Sequence, residues 1–311
     1  MPDVMSLEGK TIVVTGAAQG IGQAVASLAI GLGARVVGVD LNGDKLNALA
    51  AAMNGRLLPY VGSVADPEFT EATVSDVKAR IGAIDGLVNN AGITRPAMIE
   101  KMTLQQWSEV ISVHLTGAFL WTQAVGRIMV AQGKAGRESP GSIVNISSDA
   151  GRGGSVGQIN YAAAKSGLLG MTMSAAREWS KFGVRTNSVC FGVVETPMTE
   201  TIRGDKFGTA YWRGFRWGVG PRRGRRSSRY VFCSPMVHLT SRDSISPWMA
   251  AIISPYDASL AHRLPARRCT SRNWRFSPLN TRLSYTSVCS NFPMLLTWIC
   301  TKCRIFLSCG W

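Results

Sequence analysis

The stretch "TIVVTGAAQGIG", residues 11–22, passes from a β-branched run through a glycine-rich turn into the Ala-rich segment "GIGQAVASLAIGLG" of helical period. A strand, a tight turn and a helix opening follow from that order of residue types. The pattern then repeats. "ARVVGVD" (34–40) reads as a strand, "DKLNALAAAM" (44–53) as a helix, "RLLPYVGSV" (56–64) as a strand, "PEFTEATVSDVKARIG" (67–82) as a helix and "IDGLVNNAG" (84–92) as a strand. Strands that alternate with helices predict an α/β fold with a parallel sheet covered by helices on both faces. Beyond these come one helix around Trp107 to Gln132, a loop "GKAGRESPG" (133–141), a strand "SIVNIS" (142–147), a helix from about Tyr161 to Lys181, and a strand "VRTNSVC" (184–190).

The turn itself carries chemistry. Placed between a strand and a helix, it lets a pyrophosphate rest on backbone N–H groups at the helix N-terminus, with Gly16, Gly20 and Gly22 allowing close approach. A glycine-rich turn alone is equally a plain tight turn. Asp40, at the end of the second strand, favours the nucleotide: its carboxylate can accept from adenosine ribose hydroxyls and would repel a 2′-phosphate. No Lys or Arg lies inside the turn, so NAD is preferred over NADP.

"YAAAK" places Tyr161 and Lys165 four apart, on one helix face. A phenol that titrates near ~10 when free becomes a usable proton donor and acceptor when an ammonium stands beside it. Ser148, thirteen residues earlier, can hold a substrate oxygen. Tyr and Lys at this spacing are, by themselves, more often a solvated helix face.

Taken together, "TGAAQGIG", "NNAG" (89–92), a serine thirteen before "YxxxK", and "GVVETPM" (192–198) resemble the short-chain dehydrogenase/reductase family over residues 7 to about 207. The resemblance implies a single Rossmann-type, doubly wound domain that moves a hydride between nicotinamide and a carbinol or carbonyl carbon. Members similar to 3-oxoacyl-carrier-protein reductases and to NAD-linked secondary-alcohol dehydrogenases come nearest, with a small alcohol or ketone as substrate and a homotetramer or dimer as assembly. Tyr161 would be the acid/base, Lys165 would bind the nicotinamide ribose and lower the tyrosine pKa, and Ser148 would orient the substrate. Gln19, Ile21, Ser63 and Val64 would join the glycines and Asp40 in binding the cofactor, and Asn89, Ala91 and Gly92 would line the adenosine side. Val194 and Thr196 would meet the carboxamide.

Three positions depart from the family pattern. His114 in "VISVHLTG" stands where Asn is usual, and serves either as a proton relay or as a packed core residue. Ser63 stands in a common Asp slot, and Phe191 replaces a proline.

Residues 1–207 hold 18 Lys+Arg against 17 Asp+Glu and one cysteine, whereas residues 208–311 hold 16 against 2, with six cysteines and six of the nine tryptophans. The first composition fits a reduced cytoplasmic enzyme. The start shows no export leader and "PMLLTWIC" is too short to span a bilayer. The arginine cluster "GVGPRRGRRSSRY" (218–230) has the look of a nucleic-acid tail, and "CTKC" (300–303) lacks the second ligand pair of a zinc site; neither is the preferred explanation. Reading across codon boundaries, Trp248–Met249 and Met249–Ala250 must encode Asp and Gly. Met236–Val237 and Trp217–Gly218 must each encode Gly, and Tyr211–Trp212 and Phe232–Cys233 must each encode Leu. These forced residues fall where the family expects its own C-terminal segment. The chain thus divides into 1–207, the catalytic domain, 208–253, an out-of-frame remainder, and 254–311, a read-through tail. A catalytically impaired product is the alternative this raises. It also predicts that the strand ending near Cys190 is a bare sheet edge.

Overall fold

The structure is a computed structural model that describes residues 6–192, 194 and 196–199, together with the backbone of 236–238. Six strands, β1 (Thr11–Thr15), β2 (Arg35–Asp40), β3 (Leu57–Val61), β4 (Gly86–Asn89), β5 (Gly141–Ser148) and β6 (Val184–Phe191), pair in parallel in the order β3-β2-β1-β4-β5-β6. The expected α/β, Rossmann-type doubly wound sheet is the one observed.

Its two faces follow from the two-residue period of a strand. In β1, Ile12 and Val14 join the apolar layer formed with Val25, Ala26 and Ala29 of α1 (Gly20–Gly31) and with Leu46 and Leu49 of α2 (Gly43–Ala52). Val13, between them, joins the opposite layer with Val74 and Val77 of α3 (Pro67–Ile81) and Trp121, Val125 and Met129 of α5 (Gly117–Lys134). Strands buried on both faces are apolar without alternation, which is why "TIVVT" reads as a continuous run.

The long helix expected around Trp107 to Gln132 is two. A helix α4 (Leu104–Ile111), opened by a Thr103/Gln106 capping box, meets α5 through a π-helical turn at Ser112–Thr116. The buried positions Val110, His114 and Ala118 stay four apart across the π turn, so the pattern reads as one continuous helix. His114 sits in its middle.

A short α6 (Ala150–Gly153) follows β5, and α7 (Ile159–Trp179) carries the "YAAAK" segment. Strand β7 (Met236–His238) pairs antiparallel with β6, matching Cys190 to Met236 and Ser188 to His238. This corrects the expectation of a bare edge. An edge offers main-chain N–H and C=O groups, which any extended segment satisfies whatever its side chains. The rest of 208–253, and all of 254–311, lie outside the described residues. Among the described residues no helix is long and apolar enough to cross a membrane, and no group of three or more His, Cys, Asp or Glu could hold a metal.

Candidate active site

Four strand ends, Thr15, Asp40, Asn89 and Ser148, lie at the carboxyl edge of the sheet, where the strand order reverses between β1 and β4. That edge is where open parallel sheets bind ligands.

The turn after β1 is built for close approach. Gly16 and Gly20 have φ of +66° and +58°, a region side chains rarely adopt. A Cβ on Gly16 would stand 2.8 Å from the Ala91 Cα, and one on Gly22 would stand 1.9 Å from the Gly16 carbonyl oxygen. Helix α1 begins without a side-chain cap, which leaves its first N–H groups and the positive end of its dipole to an anion. Asp40 is anchored beside it: one carboxylate oxygen accepts from the Ala18 N–H at 3.0 Å, the other from the Asn42 N–H at 2.9 Å. An uncapped helix start, glycines where a Cβ would intrude, and a fixed carboxylate at the end of β2 fit a nicotinamide dinucleotide.

Two contacts here were not foreseen. Lys45 reaches back from α2 and donates to the Gln19 side chain at 2.8 Å, bringing an ammonium to the turn. Asn90 donates to the carbonyls of Thr15 and Gly16 at 3.0 and 3.1 Å, tying the end of β4 to the turn. The sequence signals for both are slight, a cation five residues beyond Asp40 and an asparagine inside "NNAG". Asn89, by contrast, spends its amide inside the sheet, donating to Thr122 at 2.9 Å and Asn145 at 2.8 Å. Ala91 N–H donates to the Thr15 hydroxyl at 3.1 Å. Ile21 packs against the core layer of α1, and Ser63 accepts from the Ala65 N–H at 3.2 Å. Val64 is buried against Gly117. Val194 is buried, and a Cβ on Gly20 would come within 3.4 Å of the Thr196 methyl, so the segment after β6 overhangs the turn.

On the other side of the edge, Asn160 fixes the start of α7. Fully buried, it donates to the carbonyls of Arg95 and Gln106, both at 3.0 Å, while its side-chain oxygen accepts from the Tyr161 N–H at 2.8 Å. Lys165, one turn further, places Nζ 5.6 Å from the Tyr161 ring centroid and donates to the Ile146 carbonyl at 2.6 Å. Ser148 lies two residues beyond Ile146 on β5, and its hydroxyl accepts from the Ala150 N–H at 3.2 Å. Burial pushes the Lys165 ammonium down to about 7, because a charge without water is costly.

His114 closes the group. Its ring stands edge-on to Tyr161, with centroids 5.1 Å apart and an 86° angle between planes. Nε2 lies 2.9 Å from the Ile93 nitrogen and 2.7 Å from the Ile93 oxygen. Gly92 is small for this reason, since a Cβ there would meet His114 Cε1 at 2.2 Å. Burial first, and the Lys165 charge second, push the imidazole down to about 3, so it is neutral at physiological pH. Between pH 6.5 and about 3 the unfolded chain binds a proton at His114 that the folded chain refuses. Stability from this site is therefore lost as pH falls through that window, by about 1.4 kcal/mol per pH unit. His114→Asn, whose amide offers both a donor and an acceptor to Ile93, is expected to flatten that loss in thermal unfolding measured across the window; an equally steep acid loss would refute the assignment.

The sequence profile described as short chain dehydrogenase matches residues 10–206. The chain is 43% identical over 201 residues to a 3-oxoacyl-acyl-carrier-protein reductase of Thermotoga maritima, a match covering 64% of this chain and 79% of that protein. It is 41% identical over 204 residues to the same enzyme of Vibrio harveyi, covering 65% and 80%. Over 195 residues it is 40% identical to a D-threitol dehydrogenase of Mycolicibacterium smegmatis, covering 62% and 73%.

Proposed function

The chain belongs to the short chain dehydrogenase family and is an NAD(P)-dependent oxidoreductase acting on small molecules; from that premise we propose that it uses NAD to interconvert a secondary alcohol and its ketone. The observation that carries the assignment of roles is the stacking of Lys165 Nζ 5.6 Å from the Tyr161 ring, on one face of a helix that Asn160 holds at the sheet edge. The two named activities among the relatives bracket the substrate class, a 3-oxoacyl thioester at one end and a polyol at the other.

When bound, the nicotinamide accepts or supplies the hydride. The protein's part is to manage the oxygen. Tyr161 gives its hydroxyl proton to a carbonyl oxygen during reduction and takes the proton of a carbinol during oxidation. Ser148 donates a hydrogen bond to the same oxygen, fixing the carbon for hydride transfer. The ammonium of Lys165 stabilises the phenolate that exists between these steps. Turnover of secondary alcohols with NAD that disappears in Tyr161→Phe is the test; a folded, NAD-binding protein inert toward polyols and 3-oxoacyl thioesters alike would sink the assignment.

Asp40 supports NAD. Its carboxylate is anchored at the end of β2 beside the glycine turn, where a 2′-phosphate would meet a fixed negative charge. Asp40→Ser is expected to raise the ratio of kcat/KM for NADP to that for NAD by on the order of tenfold or more, since Lys45 then stands at the turn without the opposing carboxylate. An unchanged ratio would show that another group reads the ribose.

The single cysteine of residues 1–207 accords with a reduced, cytoplasmic setting, and a homotetramer or dimer is our expectation for the in-frame enzyme. Beyond Phe207 we hold that the polypeptide is an out-of-frame continuation of the domain, supported by the six forced codons. Resequencing the gene across Phe207 and Gly208 separates its two forms: one additional base makes the tail an artefact and restores an ordinary member, and a base truly absent makes the tail real polypeptide, whose activity is then to be demonstrated on this chain.

A further inference from the structure

Asp149 carries a carboxylate that the fold fixes in place and leaves unused. It follows Ser148 at the carboxyl end of β5, just past the last register pair of Ser148 with Phe191. Its N–H donates to the Phe191 carbonyl at 3.0 Å, and its own carbonyl accepts from the N–H groups of Arg152 and Gly153 at 3.0 and 2.9 Å. The backbone is therefore held from both sides. An Asp at the head of a helix ordinarily turns back to cap it. Here α6 begins without a side-chain cap, and the Ala150 N–H goes to the Ser148 hydroxyl instead.

The side chain reaches across the strand pair. A Cβ built on Gly192 would find Asp149 Oδ2 at 3.5 Å and no other described atom within 4 Å, so the glycine leaves open the space beside the carboxylate. Gly192 also begins the segment whose Thr196 methyl returns to within 3.4 Å of a Cβ on Gly20. The carboxylate is thus flanked by Ser148 on one strand and, on the other, by the start of the chain that overhangs the glycine turn. Among the described residues it forms no hydrogen bond and no ion pair, and burial pushes its carboxyl above the usual range with only the Arg152 charge opposing. No group of three His, Cys, Asp or Glu among those residues offers it a metal to share. An ionised carboxylate only accepts, and one withdrawn from water without a donor is costly. A ligand that brings a donor removes that cost.

We infer that Asp149 accepts a hydrogen bond from a second hydroxyl beside the reacting carbinol, which makes vicinal diols and polyols the substrate class of this site. This role rests on the alcohol–ketone chemistry proposed for Ser148 and Tyr161. Ser148 holds the reacting oxygen, and Asp149, whose Cα lies about 3.8 Å further along the chain, takes the neighbouring O–H. A plain secondary alcohol leaves the carboxylate unpaired. The carbonyl of a 3-hydroxyacyl thioester brings an acceptor to an acceptor, and a substrate carboxylate or phosphate brings a like charge. Selection therefore comes as much from what Asp149 rejects as from what it binds.

The test compares butane-2,3-diol with butan-2-ol, which differ by one hydroxyl, and with a 3-hydroxybutyryl thioester, using the full chain and NAD. The wild type is expected to favour the diol over butan-2-ol in kcat/KM by on the order of tenfold or more. Asp149→Ala should bring that ratio near one, chiefly through KM for the diol. Asp149→Asn, which keeps the shape and loses the charge, should fall between and replaces Asp149→Ala if the latter does not fold. A wild-type ratio near one, a ratio unmoved by both substitutions, or better use of the thioester than of the diol would each overturn the role of Asp149. If neither alcohol is oxidised, the functional assignment fails, and ligand-observed NMR titration of the NAD-loaded chain judges Asp149 separately. Tighter binding of the diol than of butan-2-ol, lost on substitution of Asp149, upholds the carboxylate as its reader; equal binding overturns it.

Discussion

Tyr161→Phe is expected to lower kcat by about a thousandfold or more while NAD affinity is largely kept. The substitution removes one oxygen and leaves the ring. The phenyl group retains its edge-on contact with His114 and its place beneath Lys165, and Asn160 still fixes the backbone at the start of α7. What disappears is the proton that must accompany the hydride: without it a carbonyl carbon receives hydride only by leaving an alkoxide, and a carbinol loses hydride only with its proton still attached. Ser148 can hold such an oxygen, but an aliphatic hydroxyl is a far weaker acid than a phenol and cannot take over its proton transfer. A loss in kcat with NAD binding intact, read by single-turnover kinetics and by cofactor titration, separates this from misfolding. Retention of more than about a tenth of the wild-type rate would assign the proton to another group.

Gly22→Ala is expected to be the most damaging single-methyl addition among the described glycines. Its Cβ would stand 1.9 Å from the Gly16 carbonyl oxygen and its surroundings include the Asn90 amide at 2.6 Å. Neither neighbour can yield. The Gly16 carbonyl is main chain in a turn at φ +66°, and Asn90 is held by the carbonyls of Thr15 and Gly16. Helix α1 must therefore shift away from the turn, at about 3 kcal/mol or more. The shift also carries off the uncapped N–H groups proposed to hold the pyrophosphate, so cofactor affinity should fall together with the thermal midpoint. A stable variant that binds NAD like wild type would mean that the dinucleotide does not rest on this turn.

Much of this architecture is written in the chain. The alternation from "TIVVT" to "VRTNSVC" is legible because the inner strands are buried on both faces and the long helices that cover them bury residues three and four apart, and these are local properties of sequence. The pairing of Tyr161 with Lys165 is legible because four residues make one helical turn. Other features depend on approach in three dimensions. Asp149 and Gly192 come from two different segments and reveal the space between them only when packed. Lys45 touches Gln19 across the end of the sheet, and the π turn at Ser112–Thr116 hides in an unbroken apolar pattern. The pairing of β7 with β6 is main-chain only, so side-chain patterning could not announce it.

The most direct test of the central claim is deuterium tracing. A secondary alcohol labelled at the carbinol carbon, incubated with the purified chain and NAD, should yield reduced nicotinamide carrying the label by mass spectrometry, and Tyr161→Phe should yield essentially none. Folded protein that binds NAD yet passes no deuterium from any secondary alcohol, including polyols and 3-hydroxyacyl thioesters, would contradict the account.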